Sequence, residues 1–511
     1  MIGQPTHGAD EVANDAQDLR RFGYSQQLTR TLGAFSSFAA SFSALSLMTG
    51  IFQVWFIGYA FGGPAFFWFW PIVFVGQLTV ALVFAELAAR YPLAGAAYQW
   101  GRHLAGRAWG WGTGWLYLAA QLVTFPALVV AYQLTLPQIS SFFSFSNDFS
   151  KNAVILGLIL LVLTTAANLV GVRFLARINN VGVIAEIVGA VVLIVLLLFH
   201  LHRGPGVVFH TNGTGAGHSW GYFGAFLVAG FMALYNMYAF DTASTLAEET
   251  ENPRYHAPRA VLRSLITVGV LGMIILLLSL MAIPNLNAAD LSTIGLPALL
   301  KATMGNTITN VLLIDVTIAI TVCGLAIQAW CARTLFAMGR DRQLPFSSVL
   351  GRVAKNTHAP AVPVLSTAII GALILLLNLN NPKAFNAIVA LGIIFIYLAY
   401  LGVTIAALRQ RRRGWPFDAG REAGLFTMRP RTGMAVNVVA VVFGAVMTIN
   451  LAWPRAAFYG TAWYQQYVAI IFVPATALIG VIYYVLHQRQ RADEPAILNP
   501  SIEKVATASI D

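Results

Sequence analysis

The chain has 511 residues, of which 58% are hydrophobic and 10% are charged, and its mean hydropathy is +0.70. Because soluble globular proteins are about 25% charged, this composition excludes a soluble enzyme, a disordered protein and a coiled coil. The formal net charge of +11 arises from short Lys and Arg clusters between long apolar runs, so it does not indicate a nucleic-acid partner.

The chain begins with a polar segment, residues 1–32, that lacks the apolar core of a cleavable signal peptide and is predicted to be a cytoplasmic tail. Twelve apolar runs follow, and each is a candidate transmembrane helix because about 20 helical residues cross a hydrocarbon core of about 30 Å. The runs are residues 33–56, 64–89, 110–137, 153–172, 178–201, 220–247, 261–283, 308–338, 363–380, 384–408, 434–453 and 466–487. We therefore predict an all-α integral membrane protein with 12 transmembrane helices.

Positive charge alternates strongly between the two sides of these runs. With a cytoplasmic N-terminus, 26 of the 31 Lys and Arg residues fall on the cytoplasmic side and 5 fall outside. Cytoplasmic loops of membrane proteins carry such an excess. The sequence therefore predicts a multi-pass protein of the plasma membrane with both termini in the cytoplasm, and the cluster Arg411–Arg413 could also contact anionic lipid headgroups.

The first and sixth runs contain residues that interrupt a membrane helix. Residues 41–50 are rich in Ser, Thr and Gly, and residues 241–245 combine an Asp with three hydroxyl residues. Such groups are costly inside a span unless they line a cavity, although tight packing along small-residue seams is an alternative. Paired interruptions at corresponding positions of two five-helix halves favour a transporter with inverted repeats. We expect breaks near Ser46–Gly50 and Phe240–Ser244, facing each other.

These interruptions supply the candidate substrate-binding residues. Asp241 either faces a substrate amine or caps the second half-helix with its side chain on backbone N–H groups. Phe240 abuts the break and is a candidate aromatic lid, with core packing as the alternative. The predicted substrate-binding set is Ser46, Thr49, Gly50, Ile51, Phe240, Asp241, Thr242 and Ser244.

Acidic residues near the cytoplasmic helix ends have basic neighbours in the sequence. Glu248 and Glu249 are predicted to face Arg254, either as a cytoplasmic gate or as a solvated loop. Glu86 precedes Arg90 by four residues, which predicts an i,i+4 ion pair at the end of the second helix.

Motifs for other chemistries do not occur in the sequence. It contains no P-loop, Gly-x-Ser-x-Gly or His-Glu-x-x-His motif, so we predict neither an ATP-driven pump nor an enzyme, and no cofactor. Four histidines crowd one external loop, but their irregular spacing does not resemble a zinc site, so no metal is predicted. They are His200, His202, His210 and His218.

Three motifs in chain order resemble amino acid permeases of the APC (amino acid–polyamine–organocation) superfamily. They are Phe84–Trp100, Phe240–Pro253 and Ala332–Pro345, and the stretch Ser41–Phe52 is similar to the bacterial and fungal branch that includes GABA and choline permeases. The resemblance implies a LeuT-type fold with ten core helices and two peripheral helices. It also implies alternating access to a small amine-bearing solute.

This resemblance gives the expected domain organisation. Residues 33–408 are the transporter core, whose inverted repeats are roughly 33–201 and 220–408. A basic cytoplasmic loop, 409–433, then leads to the peripheral helices in 434–487 and to a cytoplasmic tail, 488–511.

Glu186, in the fifth run, departs from the pattern of related permeases, which have a lysine at the matching position. The resemblance implies that this lysine replaces a bound sodium ion, a role that a glutamate cannot take over. An ionised, unpaired carboxyl is costly in a span, which makes Glu186 a candidate proton carrier. The alternatives are a structural Glu bonded to helix-one carbonyls or to Asn179 or Asn180, and a carboxylate that helps to bind sodium.

We therefore expect a secondary active transporter that takes up an amino acid or related amine, coupled to a proton. An exchanger is the alternative within this class, and a transporter-fold sensor is the alternative outside it. The expected partners are the small-molecule substrate, a proton and membrane lipid, without nucleic acid.

Overall fold

The computed structural model describes residues 17–489 except 219, 355, 356, 358, 378, 380, 381 and 417–423. Half of the predicted N-terminal tail, nearly all of the predicted C-terminal tail and the middle of the basic loop lie outside the described residues. Helices are the main regular structure of the described part, and its β-structure is limited to one isolated parallel bridge between Leu32 and Thr250. This agrees with the prediction of an all-α protein.

Long apolar helices form most of the described chain, because in lipid every backbone N–H and C=O must be satisfied within the segment. In chain order the helices are α1 (Ala34–Leu45), α2 (Leu47–Gly62), α3 (Phe69–Arg90), α4 (Ala97–Ala105), α5 (Arg107–Ile139), α6 (Phe149–Val170), α7 (Val172–Leu198), α8 (Gly221–Ala229), α9 (Phe231–Asn236), α10 (Thr242–Thr245), α11 (Pro253–Met281), α12 (Leu296–Arg340), α13 (Ser347–Leu350), α14 (Ala361–Leu376), α15 (Pro382–Arg411), α16 (Pro430–Ala452), α17 (Ala456–Tyr459), α18 (Trp463–Gln466) and α19 (Val468–Tyr483).

Nine helical segments in the described part of the chain are long and apolar enough to cross a membrane. One of them, Ala34–Arg90, is 57 residues long and contains α1, α2 and α3. Two further apolar helical segments, Gly221–Asn236 and Ala361–Leu376, are shorter. The structure therefore supports a multi-pass membrane protein, whereas the count of twelve helices stays a prediction.

The long helices differ in how much of their surface other helices cover. The most apolar window of α5 is 72% buried, whereas that of α16 is 33% buried and that of Val468–Gln488 is 17% buried. The exposed surface of α7 is also apolar, with Val181, Ile184 and Val188 among its uncovered side chains. Apolar groups on this outer surface suit contact with lipid, since the interior of the bilayer offers no water to polar groups.

The predicted ion pair between Glu86 and Arg90 is wrong. Glu86 is fully buried, and its carboxylate forms an ion pair with Arg411 and accepts a hydrogen bond from the backbone N–H of Met428 at 3.0 Å. Arg90 instead donates to the hydroxyl of Thr427 at 3.1 Å. An i,i+4 spacing offered a local partner, but the tertiary structure brings a guanidinium from the end of α15 to the buried carboxylate.

Candidate functional site

The first membrane segment is interrupted at a single residue. α1 ends at Leu45 and α2 begins at Leu47, with Ser46 between them at φ 43° and ψ 96°. This conformation lies outside the helical region, so the run of backbone hydrogen bonds is broken in the middle of the segment. The break falls at the start of the predicted range, and Thr49, Gly50 and Ile51 are already helical residues of α2.

The second interruption separates α9 from α10. Residues 237–241 are not helical, and Ala239 has a positive φ of 69°. The break therefore begins before the predicted range, which started at Phe240, and Thr242 and Ser244 already belong to α10. The side-chain oxygen of Ser244 is buried without a hydrogen-bond partner in the described residues.

The two interruptions face each other, as predicted. The Ser41 hydroxyl donates to the backbone oxygen of Phe240 at 2.8 Å and accepts from the backbone N–H of Ala243 at 2.9 Å. One side chain of α1 thus satisfies backbone groups that the break before α10 leaves without helical partners. Gly50 lies against Asn236 so closely that a Cβ atom at Gly50 would be 2.8 Å from its Cγ.

Asp241 is fully buried between two tyrosines. Its Oδ2 accepts a hydrogen bond from the Tyr117 hydroxyl of α5, and its Oδ1 accepts one from the Tyr400 hydroxyl of α15. Asp241 occupies the N-cap position of α10, but its side chain makes no capping hydrogen bond. The capping interpretation is therefore wrong, and the carboxylate is held by side chains of two other helices.

The tyrosines have further partners that fix them in place. Trp330 donates its indole N–H to the Tyr117 oxygen at 2.6 Å, and the backbone N–H of Ala239 donates to the Tyr400 oxygen at 3.0 Å. Phe240 packs near the ring of Tyr400, with 5.3 Å between the ring centroids. Sequence reasoning missed Tyr117, Tyr400 and Trp330, whose only signal was a polar atom within an otherwise apolar run.

The side chain of Glu186, on α7, is hydrogen-bonded to residues at the interruption between α1 and α2. Its Oε1 accepts from the Ser46 hydroxyl and from the backbone N–H of Met48, both at 2.9 Å. The structural alternative had expected carbonyl groups or Asn179 and Asn180 as partners, but the partners are donors at the N-terminus of α2. Donors of this kind stabilise the ionised form of a carboxyl, as does the positive end of a helix dipole.

The cytoplasmic end of the molecule contains buried ion pairs. Glu248 accepts from Arg340 at 2.7 and 2.9 Å and from the backbone N–H of Ala94 at 3.0 Å, and Glu249 pairs with Arg333 at 3.1 Å. Burial alone would raise the pKa of Glu248, but the Arg340 guanidinium outweighs it and keeps this pKa below its usual value.

Arg254 is not the ion-pair partner of Glu248 or Glu249. It donates to the backbone oxygen of Ala89 at 3.1 Å and approaches Asp18 at 3.6 Å. The predicted pairing of Glu248 and Glu249 with Arg254 is therefore wrong, since their partners come from the last turns of α12.

The N-terminal segment closes over these ion pairs. The backbone N–H groups of Thr31 and Leu32 donate to the backbone oxygen of Glu249 at 2.9 and 3.0 Å. The Tyr24 hydroxyl donates to Asp341, which also forms an ion pair with Arg102 at 2.6 Å. Parts of the chain that are far apart in sequence thus meet at these ion pairs.

The geometry can be compared with known proteins. A family model described as "Amino acid permease" matches residues 32–477. The chain is similar to the amino-acid permease BAT1 homolog of Oryza sativa subsp. japonica, with 26% identity over 85% of this chain and 87% of that protein. It is also similar to amino-acid permease BAT1 of Arabidopsis thaliana (26% identity; 86% and 88%) and to the thiamine transporter thi9 of Schizosaccharomyces pombe (25% identity; 86% and 80%).

Proposed function

The chain belongs to the amino acid permease family, and from this premise we propose that it is a secondary active transporter for an amino acid or related amine. Its fold is then of the LeuT type, with twelve membrane helices and two inverted repeats of five. Support comes from the nine long apolar segments, from the two shorter ones and from α1–α3 lying within one of the nine. In this arrangement the protein resides in the plasma membrane with both termini in the cytoplasm.

The observation that carries this proposal is the pair of helix interruptions that face each other across Ser41. Half-helix N-termini expose N–H groups that suit a carboxylate, and half-helix C-termini expose carbonyls that suit an ammonium group. A zwitterionic substrate placed between the breaks can therefore satisfy both of its charges. Alternating access then consists of opening this site to one side of the membrane at a time.

Individual side chains near the breaks give the substrate further contacts. The carboxylate of Asp241 is the acceptor for the substrate amine, and the side-chain oxygens of Asn236 and Ser244 have no partner in the described residues. Buried polar atoms are normally hydrogen-bonded, so these two are suited to polar groups of a ligand. Ser46, Thr49, Gly50, Ile51, Phe240 and Thr242 complete the proposed site.

The named substrates of relatives point to a small solute that carries nitrogen. Two of the relatives described above are named amino-acid permeases, and a third is named a thiamine transporter. For this chain an amino acid or amine is the preferred class, because the site combines a buried carboxylate with the ends of interrupted helices. An exchanger of two such solutes is the alternative.

Glu186 couples transport to a proton in this proposal. Hydrogen bonds to an ionised carboxylate are roughly twice as strong as bonds between neutral groups. Protonation of Glu186 therefore weakens its hold on Ser46 and on the Met48 N–H, and it loosens the break between α1 and α2. Glu248 and Glu249, with Arg340 and Arg333, form the gate on the cytoplasmic side, and Arg254 lies at its edge.

Transport of labelled solutes into proteoliposomes tests this function. The panel contains amino acids, GABA, choline and polyamines, with and without an imposed inward proton gradient. We expect one class to accumulate when the outside is acidic. Uptake that requires preloaded internal substrate and ignores the gradient would favour the exchanger, and binding without any uptake would favour the sensor.

A further inference from the structure

A second carboxyl lies close to Glu186 on the neighbouring helix. Asp315 of α12 packs against Gly189 of α7, so that a Cβ atom at Gly189 would lie 3.1 Å from its Oδ1 and closer still to its Oδ2. Residues three apart on one helix face have Cβ positions about 5–6 Å apart. The Asp315 carboxyl therefore lies against α7 one helical turn from Glu186, in the space that a glycine leaves.

Asp315 has no evident structural role. Its Oδ2 is buried and has no hydrogen-bond partner in the described residues. The ion pairs of the described residues include neither Asp315 nor Glu186. Unpaired acidic groups within membrane helices are costly and mark the routes of ions and protons.

The other polar groups around the two carboxyls do not neutralise them. Glu186 faces the Ser46 hydroxyl, the Met48 N–H and the thiol of Cys323 on α12. In the described part of the chain, none of the basic groups of α7, of α12 and of the helices packed against them is paired with either carboxyl. They are Arg107, Lys151, Arg173, Arg177, Arg254, His256, Arg259, Arg263, Lys301, Arg333 and Arg340.

The order of the two carboxyls follows from the direction of α7. This helix begins at Val172 and ends at Leu198, which faces outside in the proposed topology. Gly189 is three residues closer than Glu186 to that end, or about 4.5 Å along the axis. Asp315 therefore lies on the outer side of Glu186.

We propose that Asp315 is a second proton-binding carboxyl, through which Glu186 receives its proton from the outer side of the membrane. This inference rests on the proposed coupling role of Glu186. The proton leaves the Asp315 carboxyl and binds the Glu186 carboxylate, and the two residues lie one helical turn apart along α7. The hydrogen bonds from Ser46 and from the Met48 N–H to Glu186 then weaken, and Asp315 accepts the next proton from outside.

The experiment uses the full chain in proteoliposomes and measures two rates. One is initial uptake driven by an inward proton gradient at several external pH values, and the other is counterflow exchange at equal pH on both sides. The variants are Asp315→Asn, Glu186→Gln and the double variant. Asp290→Asn is the control, because this carboxyl lies in an external loop between α11 and α12.

We expect Asp315→Asn to slow gradient-driven uptake about 10-fold or more, since removing a positioned proton donor or acceptor typically costs at least that much. Counterflow should be unchanged. The double variant should be no slower than Glu186→Gln alone, because both residues serve one route. Asp315→Glu should restore much of the rate, and Gly189→Ala should slow it by displacing the Asp315 side chain.

Two results would overturn the inference in distinguishable ways. If Asp315→Asn keeps the gradient-driven rate while Glu186→Gln loses it, Asp315 carries no protons and the proposed function stands. If Glu186→Gln keeps the full pH response, the coupling role of Glu186 is wrong and the relay falls with it. If Asp315→Asn does not fold, Gly189→Ala gives the decision, because an unchanged gradient-driven rate in this variant would also count against Asp315.

Discussion

Removal of the Tyr400 hydroxyl is the sharpest test of the site around Asp241. In Tyr400→Phe, Asp241 Oδ1 loses its donor, and the backbone N–H of Ala239 loses its acceptor at 3.0 Å. The first is a hydrogen bond to a charged group, worth about 1.5–3 kcal/mol, and the second is worth about 0.5–1.5 kcal/mol. Both losses occur at the break between α9 and α10.

Tyr397→Phe is the matched control. Tyr397 lies one turn earlier on α15 and donates a long hydrogen bond of 3.4 Å to the backbone oxygen of Leu234. Its loss costs at most about 0.5–1.5 kcal/mol. The difference between the two variants is therefore about 1.5–3 kcal/mol, which corresponds to about 10- to 100-fold in a binding constant.

The assay measures the initial rate of uptake at a series of substrate concentrations, which gives KM. Thermal unfolding in detergent measures the stability of each variant. We expect Tyr400→Phe to raise KM about 10- to 100-fold relative to Tyr397→Phe, because the carboxylate that receives the amine is no longer held in place. Equal KM values for the two variants would refute the assignment of Asp241 to the substrate site. A change in stability alone would leave Asp241 as a structural residue.

Three further outcomes follow from the same geometry. Gly50→Val should abolish uptake while the protein still reaches the membrane, because the new side chain overlaps Asn236; normal uptake would exclude this position from the site. Arg340→Ala should destabilise the protein by about 3–5 kcal/mol in thermal or denaturant unfolding by leaving Glu248 buried without its partner, and a smaller loss in the double variant with Glu248→Gln would confirm the pairing. Since Arg340 lowers the pKa of Glu248, the stability from this pair should persist at neutral pH and disappear only below the ordinary pKa of 4.5; a loss between pH 7 and 5 would contradict this reasoning.

The helix breaks show how far sequence reasoning reaches. The small and hydroxyl residues of 41–50 and 241–245 predicted both interruptions and their mutual contact, and the structure confirms this. The predicted positions were close to the observed breaks, because backbone that leaves the helical region favours Gly and small polar residues. Such residues can be recognised in the sequence itself. The second break still begins earlier than predicted, since Met237 and Tyr238 carry no such local signal.

The partners of the buried charged groups were the least predictable part of the site. Local spacing suggested Arg90 for Glu86 and Arg254 for the acidic pair after α10. The structure instead uses Arg411, Arg340 and Arg333. A buried carboxylate accepts whichever cation the fold brings to it, so nearness in sequence is a weak guide.

Membrane class, helical structure and family could be inferred without coordinates. Apolar run length and the distribution of charge act on each segment separately, because lipid and water solvate each stretch of chain according to its own composition. The environment of Asp241 was beyond such inference, since Tyr117 lies 124 residues before it and Tyr400 lies 159 residues after it. Only the packing of α5 and α15 around the break brings these hydroxyls to one carboxylate, and a buried charge must take its partners from whatever the tertiary structure places beside it.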